Sequence, residues 1–113
     1  MTNSDGTQAL RLWHRVLADS VRGSEPDLTA RQMAILMTVF LEPPPHTVRG
    51  LAASLNIAKP VVTRALDSLT RRGLLRRSRD EVDRRNVFVQ RTMAGARFLN
   101  AFSDLIDAAA ESR

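Results

Sequence analysis

The stretch TVRGLAASLNIAKPVVTRALDSLTRRG, Thr47 to Gly73, restricts the fold more than any other part of the chain. Val48, Leu51, Ala52 and Leu55 recur at the spacing that gathers apolar side chains on one helical face, and Thr47 stands ready to cap that helix. Only "NIA" separates it from a second helix. Pro60 suits the first turn of the second helix, because proline lacks the amide hydrogen that a first turn leaves unpaired anyway. Val62, Ala65, Leu66 and Leu69 make the buried face, and Gly73 is the residue best able to close the helix in a left-handed conformation. Two short helices joined by so tight a turn form a helix-turn-helix.

The segment after the motif completes a winged helix. Leu74 to Ser78 and Asn86 to Gln90 read as two strands around the loop RDEVDR, which predicts a β-hairpin. Upstream, Leu10, Trp13, Val16 or Leu17, and Val21 give a helix from Thr7 to Val21, capped by Ser4 or Asp5 and stopped at Gly23. After a linker, Asp27 or Thr29 caps "TARQMAILMTVFL". Its Met33, Ile35, Leu36, Met37, Val39, Phe40 and Leu41 are apolar almost all round, as expected of a buried centre helix, and Pro43 to Pro45 end it. Thr92 caps a last helix whose stripe is Ala96, Leu99, Phe102, Leu105 or Ile106, and Ala109. The expected fold is mainly α with a small β-hairpin. It is one winged helix-turn-helix domain over residues 1–113, with terminal helices at 7–22 and 92–110 flanking a core at 28–91.

Charge is distributed unevenly along this fold. From Lys59 to Arg97 eleven Lys or Arg face only Asp67, Asp80, Glu81 and Asp83, whereas the rest of the chain has six basic and eight acidic residues. A basic half joined to a mildly acidic one suits a polyanion, because cations meeting phosphates release counterions. The absence of cysteine excludes disulfide scaffolds and thiolate chemistry. His14 and His46 have no partners at metal-ligand spacing, the glycines make no phosphate-cradling loop, and no acid–base constellation points to an enzyme. No metal or cofactor is expected. Nor does any segment approach the roughly 20 apolar residues of a membrane span, so a soluble cytoplasmic protein is expected.

The residues left outside the second helix of the motif are Lys59, Pro60, Val61, Thr63, Arg64, Asp67 and Ser68. A helix entering a major groove presents short or forked polar side chains there. Arg64 can grip guanine O6 and N7 with two hydrogen bonds, Thr63 can meet a phosphate or a thymine methyl, and Lys59 and Thr47 suit backbone phosphates. Arg84 or Arg85 on the hairpin loop can enter a minor groove, with Asp83 holding one guanidinium. Competing with these roles are an Arg64–Asp67 ion pair within the helix, and pairing of Asp80, Glu81 and Asp83 with Arg76, Arg77 and Arg79 in a solvated hairpin.

The segments LTARQMAIL, TVRGLAASLNIAKPVVTRALDSLTRRGLLRR and DRRNVFVQRTMAGARFL resemble, in order and spacing, the DNA-binding core of MarR-family regulators. The resemblance runs from about Leu28 to Leu99. It implies a recognition helix over residues 59 to 68 and a minor-groove contact from Arg84 or Arg85. Arg91 departs from the leucine that family members usually place before the threonine of the last helix. Family members also dimerise through long helices from both ends, and here one helix follows the wing, so the sixth is expected to be missing. A dimer through Leu10, Trp13, Leu17, Phe102, Ile106 and Ala109 is nonetheless expected. The resulting expectation is a homodimeric repressor that binds double-stranded DNA. The alternative is a winged-helix interaction module that takes a partner protein on its terminal helices. A small-molecule or protein effector is left open, and Met33 and Met37 read as core filler ahead of an effector-cavity lining.

Overall fold

Gly73 adopts φ +78, and the backbone around it closes the helix before it. The Leu74 amide donates to the Leu69 carbonyl at 2.9 Å and the Gly73 amide to that of Thr70 at 3.0 Å, the paired bonds of a Schellman ending. The computed structural model describes residues 3–111. It comprises α1 (Asn3–Arg22), α2 (Ala30–Leu41), β1 (His46–Thr47), α3 (Val48–Leu55), α4 (Lys59–Arg71), β2 (Leu75–Arg79), β3 (Val87–Arg91) and α5 (Met93–Glu111). The order is that of a winged helix-turn-helix with helices on both sides, as the periodicities predict.

The chain divides into two compact units, one of Leu28–Arg97 and the other of the segments before and after it. In the first, Ile35, Leu36, Val39, Val48, Leu51, Val62, Ala65, Leu66, Leu69, Leu74, Leu75 and Val89 are buried. All four residues expected inside α4 are among them. Thr29 starts α2 with a reciprocal cap: its Oγ1 accepts from the Gln32 amide at 3.1 Å, and its own amide donates to Gln32 Oε1 at 2.9 Å. Leu41 differs from its expectation. It lies 75% exposed in the last turn of α2, where the helix stops before the prolines.

The turn between α3 and α4 is closed by Asn56, whose backbone is left-handed at φ 54. Its amide reaches the Ala53 carbonyl and that of Ile57 reaches Ala52, so α3 ends by the same paired bonds as α4. The sheet is three-stranded in the order β1-β3-β2, all antiparallel, with His46 opposite Val89 and Arg77 opposite Val89 on the other side. The short β1 has no periodic signal of its own. Both hairpin strands begin one residue later than expected. Leu74 spends its amide on the ending of α4, and Asn86 spends its amide on the Asp83 carbonyl in the loop.

Within the first unit, Arg91 at the end of the hairpin is tied to α2 and the residue after it through three close contacts. Arg91 donates from Nε to the Val39 carbonyl at 2.9 Å and from Nη2 to that of Glu42 at 3.3 Å, and its guanidinium lies 5.7 Å from the Phe40 ring centre. The arginine thus satisfies carbonyls at the negative end of α2. Thr92 Oγ1 accepts from the Gly95 amide and donates to the Gly73 carbonyl at 2.7 Å. Gly95 is required here: a Cβ would collide with the Leu74 carbonyl oxygen and lie 2.9 Å from Phe40 Cζ.

In the second unit the backbone of Ser4 and Asp5 is already helical, so α1 starts earlier than a cap at those residues would allow. Val16 is the buried member of its apolar set, while Leu10, Trp13, Leu17 and Val21 are exposed. Phe98, Phe102 and Ala109 are buried on α5 and Ile106 is half-buried. The outward stripe expected from Phe102, Ile106 and Ala109 is therefore turned inward at both ends, because Phe102 and Ala109 share the face of the buried Phe98. No helix among the described residues is long and apolar enough to cross a membrane.

Candidate nucleic-acid interface

The 100° step of a helix divides the outer residues of α4 into three sets. Opposite the buried face stand Pro60, Arg64 and Asp67, with Lys59 and Thr63 on one flank and Val61 and Ser68 on the other. Lys59, Pro60, Thr63, Arg64 and Asp67 share one open surface. Val61 and Ser68 are half-buried and do not line it. Arg64 is exposed and makes no hydrogen bond or ion pair among the described residues. Its expected competitor for that role, Asp67, is engaged elsewhere. Asp67 Oδ1 accepts from Arg77 Nη2 on β2 at 2.8 Å, and the same nitrogen approaches Thr70 Oγ1 at 3.3 Å.

Thr47 sits where β1 turns into α3, and its Oγ1 accepts from the Gly50 amide at 2.9 Å. The cap uses the oxygen as acceptor and leaves the hydroxyl hydrogen available for donation.

The wing loop is organised by its carboxylates rather than neutralised by them. Asp80 Oδ1 accepts from the Val82 amide at 2.9 Å and Oδ2 from Asn86 Nδ2 at 3.4 Å, while the Asp80 amide donates to the Asn86 carbonyl. The Val82 bond is the main reason the Asp80 carboxyl lies below its ordinary 3.8; partial burial opposes it, and bonds from the Asp83 backbone and Asn86 add to it. Asp83 grips Arg85 with both oxygens, at 3.2 Å to Nε and 3.5 Å to Nη2, and also accepts the Arg85 amide. Arg84 projects a guanidinium with no partner among the described residues, its carbonyl taken by Arg79 Nη1 at 2.7 Å. The expected pairing of loop carboxylates with Arg76, Arg77 and Arg79 does not occur: Arg76 reaches Gln90 Oε1, Arg77 reaches Asp67, and Arg79 reaches a carbonyl.

A cleft of ≈ 110 Å³ joins the wing to the motif, lined by Val48, Arg49, Lys59, Thr63, Arg77, Arg85, Asn86 and Val87. It brings Lys59 and Thr63 beside Arg85. Arg49, Arg77 and Asn86 were missed by the sequence reading, although Arg49 follows the cap by two residues and the burial of Val48 and Leu51 turns it outward. A second cavity, of ≈ 220 Å³, lies between α1 and α5 and is lined by Asp19, Ser20, Gly23, Ser24, Glu25, Phe98, Ala101, Phe102 and Leu105 rather than by Met33 or Met37.

A model of the MarR family matches residues 28–87 of the chain. No curated protein matches it. Among solved structures, a mutant S. aureus MepR bound to an oligodeoxyribonucleotide is similar at TM-score 0.82 and 19% identity, covering 98% of this chain and 79% of that one. The YusO protein of Bacillus subtilis is similar at TM-score 0.80 and 17% identity, covering 98% and 76%. A mutant Lactococcus lactis ZitR reaches 26% identity at TM-score 0.61, covering 80% and 60%.

Proposed function

The chain belongs to the MarR family, and from that premise we propose that it is a sequence-specific, double-stranded DNA-binding transcription regulator, acting as a homodimeric repressor. One observation carries this reading above the others. The exposed Arg64, without a partner among the described residues, shares one open surface of α4 with Lys59 and Thr63, and these two also line a cleft shared with the wing. A helix in the major groove and a β-ribbon in the adjacent minor groove need that adjacency. A MepR mutant of the same fold is bound to an oligodeoxyribonucleotide in its solved structure.

In the complex α4 is the recognition helix. Arg64 reads a guanine, Thr63 meets a phosphate or a thymine methyl, and Pro60, Val61 and Ser68 border the contact. Lys59 and Thr47 hold backbone phosphates, which position the protein without reading sequence. Arg84 or Arg85 enters the minor groove, and Asp83 presets the Arg85 fork by the bidentate pair. Two such units about 34–36 Å apart meet successive major grooves on one side of a pseudo-palindrome.

The test is to titrate the full chain with random and genomic duplexes at several salt concentrations. Regulation of this kind gives log K falling linearly with log salt, together with a set of genomic sites bound far above random DNA. Salt-insensitive or absent DNA binding, with tight binding of a protein partner instead, replaces the regulator by an interaction module.

A further inference from the structure

The cleft between the motif and the wing has the chemistry of an anion site. Arg49 of α3, Lys59 of α4, Arg77 of β2 and Arg85 of the loop reach it from four places in the chain, and no carboxylate among the described residues lines it. Thr63 adds a hydroxyl. Its ≈ 110 Å³ is well above the about 10–15 Å³ that one water requires, so a polyatomic ion fits.

The four cations are not equivalent. Arg77 is held by Asp67 and Arg85 by Asp83, which offsets their charge and fixes their direction. Arg49 and Lys59 make no hydrogen bond or ion pair among the described residues. They are exposed charges that line one cleft without a counter-charge among the described residues. A tetrahedral oxyanion answers this arrangement, since a guanidinium fork, an ammonium and a hydroxyl donate to different oxygens of the same group.

We propose that this cleft is a phosphate-binding site in which Arg49 and Lys59 hold one phosphate group between α3, α4 and the wing. In the DNA complex the occupant is a backbone phosphate, which makes Arg49 a positioning residue that fixes how deeply α4 enters the groove. The identity of that occupant rests on the DNA-binding reading. The site itself does not.

Two measurements on the full chain separate these parts. In the first, arginine side-chain and backbone NMR signals are followed while inorganic phosphate replaces chloride at constant ionic strength. Saturable shifts at Arg49, Lys59 and Thr63, with Arg84 unmoved and the response lost in Arg49→Ala, establish the site; uniform small shifts over all arginines overturn it. In the second, binding to random duplex is measured against salt. Arg49→Ala lowers the slope of log K by about 0.9, so that roughly 3.5-fold less affinity is lost over a fourfold rise in salt, and Arg49→Lys retains the slope. Phosphate shifts with an unchanged slope mean that the cleft takes free phosphate only, which overturns the DNA occupant. A wild-type chain that binds no DNA refutes the regulator reading and with it the DNA occupant, and the phosphate titration still decides the cleft.

Discussion

Asp67 Oδ1 accepts from Arg77 Nη2 at 2.8 Å, tying α4 to the first strand of the wing. The pair fixes one element against another and engages Asp67 away from Arg64, but its side chains are 49% and 29% exposed, so its energy is that of a surface pair. A double-mutant cycle of Asp67→Ala and Arg77→Ala, read by denaturant unfolding, is expected to give a coupling of about 0.2–1 kcal/mol. A coupling above about 2 kcal/mol would mean a desolvated pair and a more rigid wing than this geometry supports.

Arg64 has no partner among the described residues, so its removal leaves no buried group there unsatisfied. Arg64→Ala is expected to unfold at the wild-type denaturant concentration and to lose about 1–3 kcal/mol of preference for the best genomic site over random duplex. An unchanged preference removes Arg64 from base readout.

Arg84 and Arg85 differ in preparation, since Asp83 holds only the second. Replacing either by Ala is expected to flatten the salt dependence of DNA binding, each lost phosphate neutralisation changing the slope by about 0.9. If neither substitution alters it, the wing does not touch DNA.

The local signals in the sequence carried most of the fold. Thr29, Thr47, Thr92, Pro60 and Gly73 each act through a few neighbouring residues, and each occupies the cap, first-turn or helix-ending position expected of it. The apolar face of α4 was equally readable, because four residues repeat at one spacing. Contacts between distant segments were not. Arg77 looked like a partner for loop carboxylates until the hairpin register placed it beside Asp67, and Arg91 gave no sign that it would reach the end of α2. The stripe of α5 misled for a related reason: periodicity finds an apolar face but does not say which of its members have a neighbour to pack on, and Phe102 and Ala109 do. The surface of α4 was therefore legible as a set of residues, and the cleft that α4 shares with Arg49 and the wing was not.

The Asp80 carboxylate gives the wing a pH limit. Its pKa is lowered from 3.8, chiefly by the Val82 amide, so the bonds to the ionised form stabilise the loop above 3.8 and are lost as pH falls through the lower folded value. Val82 and Asn86 NMR signals are expected to titrate together with a midpoint below 3.8. In Asp80→Asn, which keeps an acceptor but no charge, that titration disappears. A midpoint at or above 3.8 would show that the loop does not favour the carboxylate.

The dimer is the step on which a two-half-site operator depends. Leu10, Trp13, Leu17 and Val21 are 71%, 50%, 52% and 65% exposed at helical spacing along α1, a run of apolar surface beyond the scattered residues a monomer ordinarily shows. Burying such side chains against a second copy contributes up to about 1.5–3 kcal/mol each before the cost of association. Trp13 is the only tryptophan, so its emission reports this face alone. Sedimentation at micromolar concentration is expected to give twice the chain mass with blue-shifted Trp13 emission. Leu10→Glu with Leu17→Glu is expected to give the monomer mass and red-shifted emission at unchanged helix content. The paired variant should still bind random duplex, because α4 and the wing are intact, but with the salt slope of a single unit and without preference for palindromic sites. A wild-type chain that sediments as a monomer leaves α4 with one groove to enter, and the repressor would then have to recognise a single half-site.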